Sequence, residues 1–103
     1  MKLRDLAHIR TGDKGDTSQI SVIAYSPEHF ADLKRHLTAR RVQEFYANLP
    51  CRKVERHELP NLGALIFTLE GALKGGVTRS LALDPHGKTL GALLLDIDLP
   101  KED

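Results

Sequence analysis

Two segments near the start of the chain alternate apolar with polar residues, which is the pattern of half-buried β-strands. The first runs from Leu3 to Thr11, alternates impurely and is predicted to stop at Gly12. The second runs from Ser18 to Tyr25, is rich in β-branched residues and places Ile20 and Val22 on one side. The pattern predicts two strands joined by a short polar segment.

Apolar residues then take helical spacing, at Phe30, Leu33 and Leu37. Ser26 can cap the free N–H groups at the start of such a helix, and Pro27 is tolerated in its first turn. Thr38 offers a second cap before the apolar face resumes at a new phase, and Pro50 ends it. We expect two helices, or one helix with a kink.

Residues 51–58 alternate but are strongly polar, which favours a strand at the edge of a sheet. Residues 61–73 are ambiguous, because their leucines fit a capped helix while Leu65, Phe67 and Leu69 also fit a strand. The pair Gly75-Gly76 suits a C-terminal helix cap, so we predict a helix here.

The last third of the chain predicts a β-hairpin. Val77 to Leu83 has strand character, and the sequence from Asp84 to Gly87 matches a type I turn. The return strand would be Thr89 to Leu99, in which Leu93, Leu94 and Leu95 are consecutive. A strand with apolar residues on both faces must be covered twice, so we expect the second cover to be another copy and the protein to be a homo-oligomer.

The order of these elements predicts a single α+β domain over residues 1–103. An antiparallel or mixed sheet would carry its helices on one face, which makes a two-layer sandwich. A chain of 103 residues is near the commonest size for one hydrophobic core.

Composition narrows the classes of function. Fifteen Lys and Arg against fourteen Asp and Glu give a formal charge of +1, which argues against nucleic acid as a partner. No apolar run is long enough to cross a membrane, and the N-terminal residues lack the pattern of a signal peptide. The only cysteine, Cys51, cannot form an intrachain disulfide, so we expect a cytoplasmic protein.

The polar segment from Arg10 to Ser18 is the strongest candidate site. Its glycines allow backbone N–H groups to approach an anion, and its cations could neutralise a phosphate or carboxylate. We assign ligand binding to six residues, Arg10, Gly12, Lys14, Gly15, Thr17 and the distant Arg79, which would complete a shared pocket. Two alternatives remain for the segment, a plain hairpin loop and a partial site for a hard cation.

Catalytic signals are weak. His8 lies in a strand that leads to the polar segment, so it could act as a general base oriented by Asp13 or Asp16. No histidine spacing indicates a metal site, no motif indicates a cofactor, and no Gly-x-Ser-x-Gly elbow is present. Cys51 has only Arg52 and His57 nearby to activate it, and we interpret it as structural.

Several ordered blocks together resemble the small domain of acyclic terpene utilisation (AtuA-type) proteins. They are the sequences from Arg10 to Ser18, Glu58 to Leu65, Gly71 to Leu73, Gly75 to Leu81 and His86 to Lys88. The resemblance implies a ferredoxin-like fold, a larger AtuA-type partner protein and a setting near acyl-CoA or terpenoid and branched-chain acid catabolism. It carries over no catalytic residues, so we expect a non-catalytic accessory or binding domain. One alternative is a small enzyme that uses His8, Asp13 or Asp16 as acid or base on a carboxylic or CoA-linked substrate. The other is a purely structural oligomerisation module.

Overall fold

The computed structural model describes residues 1–14, 17–47, 53–71 and 88–100. Its strands are β1 (Ala7–Lys14), β2 (Thr17–Ala24), β3 (Lys53–Leu59) and β4 (Ala64–Glu70). Its α-helices are α1 (Pro27–His36), α2 (Ala39–Phe45) and α3 (Lys88–Leu94). Short 3-10 helices cover Leu3–Asp5 and Pro60–Leu62.

The strands of the described residues form one antiparallel sheet in the order β1-β2-β4-β3. β4 pairs on one side with β2 and on the other with β3, so β2 and β3 run parallel to each other with β4 between them. Helices α1 and α2 connect β2 to β3, which makes a split β-α-β unit. Taken from β2 onward and ending on β1, the elements follow the β-α-β-β-α-β order of the ferredoxin-like fold, with its last strand moved to the N-terminus.

All described α-helices lie on one face of the sheet, as the sequence predicts. Alternate strand residues point into that layer, among them Ile20, Val22, Leu65, Phe67 and Leu69, and all five are fully buried. The helices contribute Leu33, Leu37, Val42 and Leu94 to the same core. The opposite face of the sheet is covered by none of these helices, and we call it the open face.

The predicted start of each of the first two helices is confirmed. The Ser26 hydroxyl accepts a hydrogen bond from the backbone N–H of His29 at 3.3 Å, and Pro27 occupies the first turn of α1. The Thr38 hydroxyl accepts from the N–H of Arg41 at 3.1 Å, so a second helix begins there. The polar strand β3 lies at an edge of the sheet, which is also confirmed.

The boundaries of the first predicted strand are wrong at both ends. Residues Leu3–Asp5 form a 3-10 helix, and β1 begins only at Ala7. The strand does not stop at Gly12, because Gly12 pairs with Gln19 and the ladder continues to Lys14, which pairs with Thr17. Glycine has no intrinsic preference that ends a strand when a partner strand supplies the ladder hydrogen bonds.

The prediction of a helix over residues 61–73 is wrong. Gly63 adopts a positive φ of 60° after the short 3-10 helix, and the chain then extends as β4. The alternation of Leu65, Phe67 and Leu69 is the pattern that holds, because the strand is paired on both sides and one of its faces is the core. The partner strand β2 is distant in the sequence, and pairing with β2 and β3 overrides the local preference for a helix.

The predicted return strand over Thr89 to Leu99 is also wrong, and with it the hairpin. Residues Lys88–Leu94 form α3, in which Gly91 and Leu94 face the core while Leu93 is exposed. Only a single antiparallel bridge, Lys2 to Asp98, follows it. Leu93 and Leu94 therefore end a helix with a narrow buried stripe, and Leu95 follows that helix, so the run gives no reason to expect a subunit against it. The segment from Val77 to Gly87 lies outside the described residues, and homo-oligomerisation stays a prediction.

Candidate functional site

The open face is where the structure places the described members of the predicted site. Residues of β1 alternate in direction, so Ile9 and Thr11 turn toward the helices while His8 and Arg10 are exposed on the open face. Arg10 is opposite Ser21 of β2, and His8 is opposite Ile23. The first strand of the sheet thus supplies an exposed row of polar side chains along one edge of this face.

The predicted polar loop is for the most part not a loop. Arg10 to Lys14 belong to β1, and Thr17 and Ser18 belong to β2, so two residues, Gly15 and Asp16, separate the paired positions. Both of these lie outside the described residues. In an antiparallel ladder the N–H groups of alternate residues are bonded to the partner strand, which leaves them unable to form a concave nest for an anion.

Arg10 is exposed, and its guanidinium group has no hydrogen bond or ion pair with any other part of the described chain. Other cations are engaged: Lys34 lies 3.7 Å from Glu58, and Arg40 lies 3.8 Å from Glu44. A guanidinium group offers five N–H donors in a planar fork that matches a carboxylate or phosphate. Arg10 is therefore available to an external anion.

At the opposite edge of the open face, along β3, the basic side chains lie against a carboxylate. Lys53 of β3 lies 3.1 Å from Glu55, and His57 lies 3.8 Å from the same carboxylate. The hydrogen bond to Glu55, helped by the charges of Glu55 and Glu70, raises the pKa of Lys53. An anion approaching this face is thus attracted more to the β1 edge than to the β3 edge.

Gly12 leaves room beside Arg10. It follows Arg10 on the same side of β1, and a Cβ built on it would meet no atom within 4 Å. The glycine is therefore not required by close packing or by a positive φ, since neither occurs at this residue. A ligand group could lie directly against the backbone at this position.

His8 has the surroundings of a surface side chain. Its ring stacks on that of Tyr25, with centroids 5.8 Å apart and an interplanar angle of 30°. Within the described residues no carboxylate forms a hydrogen bond or ion pair with it that would orient a general base. Asp13 is part of β1, opposite Ser18, whereas Asp16 lies outside the described residues.

Some predicted site residues cannot be placed relative to Arg10. Arg79 lies outside the described residues, as do the glycine pair before it and Cys51. The proposed meeting of Arg79 with Arg10 and Lys14 therefore stays a prediction. Among the described residues no three His, Cys, Asp or Glu side chains are grouped so that they could hold a metal ion. No described helix is both long enough and apolar enough to span a membrane.

The open face also carries an apolar groove that was not predicted from the sequence. It is lined by Ser21, Ile23, Leu59, Leu62, Ala64 and Ile66 and has a volume of about 380 Å³. These residues come from β2, β4, the end of β3 and the 3-10 helix of Pro60–Leu62. The available signal was the second apolar side of the segment 61–73, at Ala64 and Ile66, but it becomes an outer face only if that segment is a strand.

Residues 1–100 match the family model of the AtuA ferredoxin-like domain, which covers nearly the whole chain. This chain belongs to that family. No curated protein and no solved structure matches it.

Membership in the AtuA ferredoxin-like domain family agrees with the architecture. The antiparallel sheet, the split β-α-β unit and the helices on one face are those of a ferredoxin-like domain. A fold of this kind does not by itself define an activity, because function depends on the site that a particular chain carries. The open face is therefore the feature from which a function of this domain has to be argued.

Proposed function

We propose that this chain is a non-catalytic accessory domain that binds an anionic small molecule on its open face, with Arg10 as the principal cation. The observation that carries the proposal is an exposed guanidinium group, without a partner among the described residues, on a face that the described helices leave uncovered. Its backbone is held in a paired strand, so an anion can bind without ordering a flexible segment first.

The neighbouring residues support this role for Arg10. Gly12 leaves the space next to it open, and the backbone of Lys14 is paired with that of Thr17 at the end of the same two strands. In this proposal Gly12, Lys14, Gly15 and Thr17 extend the contact along the hairpin, and Arg79 supplies a second guanidinium group. The ligand would be an acyl-CoA or a related acid of terpenoid or branched-chain catabolism, delivered to or received from a larger AtuA-type protein.

The alternative of a small enzyme has less support. Its acid or base would be His8, Asp13 or Asp16. The His8 ring is exposed against Tyr25 and has no orienting carboxylate among the described residues. The third alternative, a module that only holds subunits together, would need no free cation at the open face.

Thermal unfolding with a panel of ligands tests the proposal. The panel contains inorganic phosphate, short carboxylates, coenzyme A and an acyl-CoA, each at several concentrations. A ligand at 100 times its Kd adds about 2.7 kcal/mol of stability, which corresponds to a rise in melting temperature of about 10 °C or more for a domain of this size.

Two matched variants identify the cation. Arg10→Gln should abolish the rise in melting temperature, whereas Arg40→Gln, which removes an exposed arginine on the helical layer, should leave it unchanged. A rise that survives in Arg10→Gln would place the anion elsewhere. No rise with any anion would favour the oligomerisation module.

A further inference from the structure

The chemistry of the open-face groove differs from that of the rest of the face. Five of the six lining residues are apolar, and the sixth, Ser21, lies at the side nearest β1. Leu62 is 70% exposed although it is a large hydrophobic residue, and it forms one wall of the groove. Ala64 is only 4% exposed because the neighbouring strands crowd around it, so it forms the floor.

The sheet register places Arg10 beside this groove. Arg10 is directly opposite Ser21, and Ser21 is directly opposite Ile66, so the three residues form one row across β1, β2 and β4. Side chains directly opposite each other in antiparallel strands have Cβ atoms about 5 Å apart. The Arg10 side chain can therefore reach the mouth of the groove.

An apolar groove with a cation beside its mouth is suited to one class of molecule. We propose, building on the proposed function, that the ligand is an amphiphilic carboxylate, whose hydrocarbon chain lies in the groove while its carboxylate group binds Arg10. The volume of about 380 Å³ is at the lower end of the usual range for small-molecule sites, about 300 to 1,000 Å³. A chain of moderate length fits this space, whereas a folded peptide does not.

A second copy of the chain fits this surface less well. A stable interface buries roughly 800 Å² on each partner, and the apolar residues occupy one end of the open face only. The remaining positions are polar or charged, among them Gln19, Glu55 and Thr68. Covering the whole face with a second copy would also bury the Arg10 guanidinium group, which has no partner among the described residues, and this is costly without a carboxylate against it.

The test is an NMR titration of the isotope-labelled full chain with butyrate, hexanoate, octanoate and octanol. Because each buried methylene contributes to binding, Kd should fall by about two- to fourfold for each added methylene. Amide signals of Ser21 and Ile66 should move together with that of Arg10. Octanol, which lacks the charge, should bind more weakly than octanoate by up to about fivefold.

Variants distinguish the contribution of the ligand's hydrocarbon chain to binding from that of its carboxylate group. Ile66→Thr keeps a β-branched residue in β4, and Leu62→Ser changes an exposed position, so both should fold and both should flatten the dependence of Kd on chain length. Leu93→Ser removes an exposed leucine from α3 and should leave the dependence of Kd on chain length unchanged. Arg10→Gln should weaken every carboxylate by a similar factor and leave octanol unaffected.

Each contrary result has a distinct meaning. Equal Kd values along the series, with loss of binding in Arg10→Gln, would overturn the amphiphile and keep the proposed anion site. A chain-length dependence that Ile66→Thr and Leu62→Ser leave intact would overturn the groove as its location. Absence of binding by every carboxylate would overturn the amphiphile, and absence of binding by inorganic phosphate and coenzyme A as well would overturn the proposed anion site. Shifts of the groove amides on raising the protein concentration alone would overturn the amphiphile in favour of a second copy.

Discussion

Met1 and Leu99 are joined by two reciprocal hydrogen bonds. The N-terminal ammonium group of Met1 donates to the carbonyl oxygen of Leu99 at 3.0 Å, and the N–H of Leu99 donates to the carbonyl oxygen of Met1 at 2.8 Å. Side chains reinforce the pairing, since Arg4 forms an ion pair with Asp96. The segment after α3 thus meets the segment before β1, as expected if β1 is the last strand of a ferredoxin-like fold moved to the front.

This adjacency predicts that the chain tolerates circular permutation. A permuted protein that begins at Asp16, with Asp103 joined to Met1 through a short Gly/Ser linker, should fold to the same secondary structure. We expect it to lose no more than about 2 kcal/mol of stability, because the new ends fall between β1 and β2 at their two-residue connection.

Circular dichroism and thermal unfolding measure this outcome. A second permuted protein that begins at Leu69 serves as the control, since its ends interrupt β4, which is paired on both sides. It should fail to fold. Failure of the permuted protein that begins at Asp16 to fold would contradict the prediction, and folding of both would show that β4 tolerates an interruption.

Gly91 allows α3 to pack closely against β1. A Cβ at this position would overlap Cγ2 of Thr11 and lie 3.3 Å from Cγ2 of Ile9. In an ordinary helix interior a glycine-to-alanine change stabilises by about 1 kcal/mol, but here Gly91→Ala should destabilise by about 1 to 3 kcal/mol because of overpacking.

Chemical denaturation of a double-mutant cycle tests this contact. Thr11→Ser removes the methyl group that the new Cβ would meet, so the cost of Gly91→Ala should be smaller in the Thr11→Ser background by about 1 kcal/mol or more. Additive effects would show that α3 moves away from β1 instead.

Arg56 of β3 holds the C-terminal end of α1. Its Nη1 group donates to the carbonyl oxygens of Lys34 and Leu37 at 2.9 and 3.0 Å, and its side chain is only 20% exposed. These carbonyl groups have no partner within the helix and carry its partial negative charge. Arg56→Met should therefore lower the free energy of unfolding by about 1 to 3 kcal/mol.

Urea denaturation gives the value, with Arg40→Met as the control. The Arg40 side chain is 88% exposed and, among the described residues, pairs only with Glu44 at 3.8 Å, so its replacement should change stability by less than about 0.5 kcal/mol. Similar losses in both variants would remove the special role assigned to Arg56.

Tyr46 should make the stability of the protein depend on pH in the alkaline range. Its side chain is buried, and burial raises the pKa of the phenol above the ordinary value near 10. Above about pH 10 the unfolded chain therefore releases this proton while the folded protein keeps it. The unfolded state then binds fewer protons, so stability should fall as pH rises, by up to about 1.4 kcal/mol for each pH unit.

Free energies of unfolding measured between pH 8 and pH 11 isolate this group. Tyr46→Phe should lose the corresponding slope, whereas Tyr25→Phe should keep it, because Tyr25 is 59% exposed and is the only other tyrosine in the chain. If the free energy of unfolding changed with pH in the same way in the natural protein and in Tyr46→Phe, a raised pKa of Tyr46 would not be the cause.

Local chemistry made part of the fold predictable. Ser26 and Thr38 are capping residues that satisfy N–H groups three positions later, and such contacts need no distant partner. The β-branched run of β2 and the polar alternation of β3 likewise identify a buried strand and an edge strand. The family and the α+β class were also accessible from the sequence, through its ordered motifs and the order of its elements.

The sequence by itself thus determined where α1 and α2 begin, that β2 and β3 are strands with the polar β3 at an edge, and to which family the chain belongs. Only the tertiary structure decided that residues 64–70 form a strand and residues 88–94 a helix, since both are apolar segments that fit either period. Pairing of β4 on two sides and the close approach of α3 to Thr11 resolve these cases. The groove follows from the same pairing, because Ile23, Ile66 and Leu59 meet on one face only after distant segments have joined in register.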